Sequence, residues 1–239
     1  MYQALVKRVF RSIAVLLLLL PAVSLPAQVN VTSSYSAQAL ASRLAGEGIT
    51  VLNPVLNCPS KANGLFTSST GSPGIDSGIV LSTGYVASVT GVNGVDGLSG
   101  SLASYNFGAA GDPALNSLSG QSTHDACALE FDFVPRGESV NFQYVFSSEE
   151  YINATCGPYN DAFAFFISGP GITGQKNMAL VPGTNIPVTI NSINSGNPGP
   201  GYTLANCYAM GPGAPFTSYF IDNSNGPYIT HKGMTQVLD

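Results

Sequence analysis

Two runs of large apolar side chains at every second position constrain this chain more than any other feature. Leu129, Phe131 and Phe133 alternate with Glu130 and Asp132, and Val140, Phe142, Tyr144 and Phe146 alternate with Asn141, Gln143, Val145 and Ser147. A period of two places one set on one face of a strand, so each run predicts a β-strand with one buried face. Pro-Arg-Gly-Glu at 135–138 lies between them, with proline suited to the second position of a type I turn and glycine to the fourth. The two runs are therefore expected to pair as an antiparallel hairpin with an aromatic inner face.

Other segments extend this pattern. ITVLNPVL after Gly48, and IVLS at 79–82 between Gly78 and Gly84, read as strands. AFAFFI at 162–167 is apolar on both faces, as a central strand would be, and NMALVP, IPVTINSIN and TSYFID follow, each bounded by Gly, Pro or Asn. Ser36 to Gly46 differs: Leu40, Ala41 and Leu44 recur at helical spacing, Ser36 can cap the start, and Gly46 or Gly48 can stop it. Gly84 to Gly120, with Gly91, Gly94, Gly97 and Gly100 at a three-residue interval, reads as a long surface loop. The fold class expected is mainly β, an antiparallel β-sandwich or jelly roll with one short N-terminal helix.

The start of the chain says where that domain works. Lys7, Arg8 and Arg11 precede an apolar run from Ile13 to Leu20 that ends at Pro21, the layout of a secretory signal peptide. The run is too short to span a bilayer, and no later stretch is longer, so no transmembrane segment is expected after cleavage. Cleavage after Ala27 leaves a domain over 28–239 with five basic and thirteen acidic residues, a net charge of −8. That balance excludes nucleic acid as a natural partner. Cys58, Cys127, Cys156 and Cys207 are an even set in an exported chain, and two disulfides follow. Of the three possible connectivities, sequential order selects Cys58 with Cys127 and Cys156 with Cys207. No two cysteines lie at zinc-ligand spacing.

Four segments carry a resemblance: GIDSGIVLSTG at 74–84, HDACALEFDFVPRGESVNFQYVFSSEEY at 124–151, NDAFAFFISGPGITG at 160–174 and NMALVPGTNIPVTINSIN at 177–194. In this order they resemble the choice-of-anchor L domain family, exported bacterial proteins whose shared domain is joined to varied C-terminal anchoring or sorting signals. The resemblance implies secretion or surface display, adhesion-like or matrix roles, and no established reaction. It also implies further strands and an anchor or sorting tail beyond Asp239, so the 28–239 domain is expected to be incomplete at its C-terminus. The residues point the same way, because Met234, Gln236 and Leu238 alternate with Thr235 and Val237 with no stop signal after them.

Few residues carry chemistry. Glu149, Glu150 and Asp161 flank a loop containing Cys156 and could offer hard oxygen ligands to calcium, the one cofactor this chain suggests. A solvated strand end and a turn former explain them more simply, and adjacent strand residues such as Glu149 and Glu150 point to opposite faces. Glu130 and Asp132 share a strand face roughly 7 Å apart, a spacing that could be read as a glycosidase carboxylate pair, although polar residues on an outer face need no such role. His124, Asp125 and Ser122 make no triad motif. Seven tyrosines, Tyr144, Tyr151, Tyr159, Tyr202, Tyr208, Tyr219 and Tyr228, could stack on sugars or pack at an interface. The function expected is an extracellular or surface-displayed, non-catalytic module for adhesion or ligand binding, with a surface glycan or protein as its partner. The alternative is a secreted hydrolase of polysaccharides using Glu130, Asp132, Glu149 or Glu150.

Overall fold

The computed structural model describes residues 29–68, 74–86, 103–225 and 229–239. The expected signal peptide and the glycines at 91–100 lie outside these residues. The strands are antiparallel and fall into two groups.

The first group is built from residues before Arg136. β1 (Val29–Ser33), β3 (Asn63–Ser68) and β4 (Ser77–Leu81) form one sheet in the order β1-β3-β4. β2 (Ile49–Asn57) pairs with β5 (Ala128–Pro135), from Ile49 opposite Pro135 to Asn57 opposite Ala128. The register shifts between Leu52 and Val55, where Pro54 has no N–H to donate and Asn53 takes φ 49. α1 (Ala37–Ala45) lies against β2, β4 and β5. Its ends are those the sequence predicts: Ser36 Oγ accepts from the Ala39 N–H at 3.3 Å, and Gly46 leaves the helix at φ 65. Leu40 on its inner face is fully buried, worth about 2 kcal/mol.

The pairing of β5 with β2 corrects the expected hairpin. The Arg136 N–H donates to the Gly48 carbonyl, so the strand follows β2 to its end instead of turning back on itself. Residues 139–143 then run without a ladder partner among the described residues. Period-two alternation names the buried face of a strand but not its neighbour, and β2 satisfies the edge of β5 first.

The second group is assembled from short ladders. β6 (Ser147–Ser148), β10 (Gly233–Thr235) and β9 (Phe220–Asp222) form a sheet in the order β6-β10-β9, extended by a bridge between Tyr144 and Leu238. β7 (Phe166–Gly169) pairs with β8 (Ile172–Asn177). The AFAFFI segment makes no regular central strand: Ala162 bridges Thr189, the Phe163 N–H donates to the Val188 carbonyl, and only its end enters β7. On its other side Phe142 meets Phe165 and Tyr144 meets Phe163, the crossed order of an antiparallel pair held by rings. Val181, Ile186, Val188, Ile193 and Leu238 form the core beneath, with Phe146, Phe216 and Phe220 packed on it. Val29, Ile229 and Met234, with Phe66 and Val145, join the two groups.

The mainly β, antiparallel expectation holds, with the ladders divided among four small sheets rather than two continuous ones. The single-helix expectation does not hold. Within the stretch read as a loop, α2 (Pro113–Ser119) forms because Asp112 Oδ1 caps the Ala114 and Leu115 N–H groups, Pro113 opens the first turn and Gly120 closes it in the left-handed region. α3 (Ala205–Tyr208) follows later and carries Cys207. Among the described residues no helix is long and apolar enough to cross a membrane.

Candidate functional site

The two groups of strands face each other across a cleft of about 1780 Å³. Phe131 and Phe133 of β5, from the first period-two run, line one side, and Phe142 and Tyr144 of the second run, with Phe163 and Phe165, line the other. Tyr144 and Phe163 stack with centroids 5.0 Å apart, and Phe131 and Phe133 are 6.2 Å apart. These rings are partly exposed, so the face predicted to be buried is half-buried against the cleft instead. The opening exceeds the roughly 300–1,000 Å³ of a small-molecule pocket and suits a polymeric ligand.

One end of the cleft is acidic. The chain leaves β6 at Ser148 and turns at once, so Glu149 and Glu150 lie in a turn and both line the cleft, which removes the opposite-face objection that holds on a strand. Ser104 Oγ donates to Glu149 Oε1 at 3.0 Å. Ser148 Oγ donates to Asp161 Oδ2 at 2.7 Å and accepts the Glu150 N–H at 2.9 Å, which ties the two acidic segments together. Asp161 is reached by solvent yet surrounded by protein. Lost hydration pushes its carboxyl up, against the Ser148 hydrogen bond, and the charge of Glu149 adds to the rise. Glu150 is pushed up by lost hydration and by Asp161 and Glu149.

His231 stands beside this end. It is 7% exposed, its Nδ1 is 2.9 Å from Ser147 Oγ, and its Nε2 is buried without a partner. Burial lowers its pKa, opposed by the charge of Glu149 and a hydrogen bond to the Ser147 main chain. A serine beside an imidazole is half of a nucleophile–base pair. Here no carboxylate meets Nε2, so the third, orienting group is missing. Nothing in the sequence distinguishes His231; the pairing of β10 with β6 brings it beside Ser147.

The remaining expected residues are placed by structural duties. Glu130 and Asp132 are exposed, and Asp132 Oδ2 accepts from Asn53 Nδ2 at 2.8 Å, which anchors the bulge in β2. Asp125 is buried and accepts the Phe107 and Ala109 N–H groups at 3.0 and 2.7 Å, while His124 and Ser122 are exposed. Among the described residues no three His, Cys, Asp or Glu side chains are grouped to hold a metal ion, so Glu149, Glu150 and Asp161 are near one another without forming such a set. Tyr151 is fully buried, whereas Tyr159 at the cleft and Tyr208 are exposed; Tyr228 lies outside the described residues.

The disulfides are Cys58–Cys127 and Cys156–Cys207. The first joins the ends of β2 and β5, one residue beyond the Asn57–Ala128 pair. The second ties the loop after Glu150 to α3, where Asn206 Nδ2 also donates to the Cys156 carbonyl at 3.1 Å.

No curated protein and no solved structure matches the chain. The model of the choice-of-anchor L domain matches residues 28–239, which takes in every described strand, both disulfides and all of the cleft. The chain belongs to the choice-of-anchor L domain family.

Proposed function

We propose that this is a secreted or surface-displayed, non-catalytic module for adhesion or ligand binding, and that the aromatic cleft is its ligand site. The observation that carries the reading is a long opening walled by Phe131, Phe133, Phe142 and Phe165, rings that a soluble domain ordinarily buries. The two strand groups would then be layers of a sandwich that part along one side to admit a ligand. Family membership supports the reading, and the disulfide beside the acidic end gives the site a rigid frame.

The test is a glycan array and a panel of immobilised surface proteins, probed with the natural protein and with Phe142→Ala/Phe165→Ala. Binding that disappears in the double variant, with the melting transition retained, is the expected result. Binding that survives unchanged places the ligand elsewhere. Polysaccharide turnover that is lost in Glu130→Gln would overturn the non-catalytic reading.

A further inference from the structure

The lining of the cleft is strongly one-sided in charge. Eight acidic residues border it, against one guanidinium, that of Arg43, which donates to Ser77 Oγ. Glu130 and Asp132 alternate with the aromatic wall of β5, and Asp112 and Asp125 accept main-chain N–H groups, which leaves Glu149, Glu150, Asp161 and Asp239. At the end formed by Glu149, Glu150 and Asp161 the carboxylates repel one another in partly dehydrated surroundings, a cost that a bound cation would relieve. One buried polar group adds to this. His231, in the lining of the cleft, has its Nε2 without a hydrogen-bond partner and feels the charge of Glu149. His231 Nδ1 is taken up by Ser147 Oγ, so Nε2 is the ring nitrogen left unpaired at this end. The end of the cleft is thus rich in carboxylate acceptors. The group that fits it is one that only donates, an ammonium or a guanidinium.

A second observation bears on what carries that group. Residues 139–143 make no main-chain hydrogen bond among the described residues, and Asn141, Phe142 and Gln143 line the cleft. Free N–H and C=O groups along a segment are a template for strand addition, which a polypeptide backbone can complete and a glycan cannot. The chain also has no tryptophan, the side chain best suited to stacking on sugars.

Resting on the reading of the cleft as the ligand site, we infer that its ligand is an extended basic segment of a protein partner, lying along residues 139–143 with apolar side chains on the aromatic wall and an arginine or lysine at Glu149, Glu150 and Asp161. Charge complementarity decides for a basic partner and the unpaired main chain decides for a polypeptide.

The experiment uses the oxidised, full-length secreted protein and three fluorescent peptides: one alternating arginine with valine, one with citrulline for arginine, and one with alternate backbone nitrogens methylated. The expected result is that the arginine peptide binds about tenfold or more tightly than either of the others. Its affinity should fall with added salt. Glu149→Gln/Glu150→Gln should weaken it by a similar factor, and Glu150→Gln alone, which removes a charge from dehydrated surroundings without changing shape, guards against a folding defect. Equal binding of the citrulline peptide, or unchanged binding in the glutamine variants, overturns the inference. Failure of every peptide alongside glycan binding that depends on Phe142 and Phe165 overturns it while leaving the cleft as the ligand site. Ligand binding that ignores Phe142→Ala/Phe165→Ala overturns both.

Discussion

Removing the two disulfides one at a time should separate chain entropy from packing. The bonds span 69 residues for Cys58–Cys127 and 51 for Cys156–Cys207. Loop-closure entropy assigns about 4 kcal/mol to each and makes the longer loop the stronger by only about 0.3 kcal/mol. Burial argues the opposite order. Cys156 and Cys207 are 1% and 0% exposed, while Cys58 and Cys127 are half-exposed at the strand ends. Cys156→Ala/Cys207→Ala leaves two sulfur-sized voids in packed surroundings, each costing about 1 kcal/mol. Asn194 Nδ2, 3.3 Å from Cys207 Sγ, keeps its bonds to the Ile190 and Asn191 carbonyls, so no orphaned donor adds to that. The expected losses are about 4 kcal/mol for Cys58→Ala/Cys127→Ala and about 6 kcal/mol for Cys156→Ala/Cys207→Ala. Equilibrium urea unfolding of the two double variants measures the difference. Equal losses, or a larger loss at Cys58–Cys127, would refute the claim that burial outweighs loop length here.

Three further outcomes follow from particular contacts. His231 has its pKa lowered by burial, so the unfolded chain binds its proton more tightly; stability is lost as pH falls below the ordinary imidazole value of about 6.5. Melting temperatures from pH 5 to pH 8 should therefore fall less on the acid side in His231→Gln than in the natural protein, and parallel curves would discount the histidine. Gly233→Ala places a methyl group 2.6 Å from Phe220 Cε2 and 2.8 Å from Tyr151 Cγ. It should cost about 1–3 kcal/mol in denaturant unfolding, and a neutral result would show that the Phe220 ring gives way. A calcium site at Glu149, Glu150 and Asp161 would raise the melting temperature at millimolar calcium, a rise that Asp161→Asn should abolish; an unchanged melting curve with and without chelator would leave these residues as a solvated turn.

Local chemistry made much of this protein legible in advance. Ser36 and Gly46 mark the ends of α1, the alternation at 128–134 marks β5, and cysteine order selects the two disulfides. α2 was legible as well, since Asp112-Pro113 and Gly120 are start and stop signals that the surrounding glycines obscured. Other features depended on distant partners. Alternation predicts equally well a β5 paired with 139–146 and a β5 paired with β2; the expected Cys58–Cys127 bond already favoured β2, because those cysteines extend the Asn57–Ala128 register. The cleft, the gathering of Glu149, Glu150 and Asp161, and the placement of His231 beside Ser147 across 84 residues were decided by tertiary structure alone. Periodicity and capping are short-range energies that each segment expresses by itself. Which faces then meet, and which are left apart to line an opening, depends on long-range strand pairings that compete for the same edges.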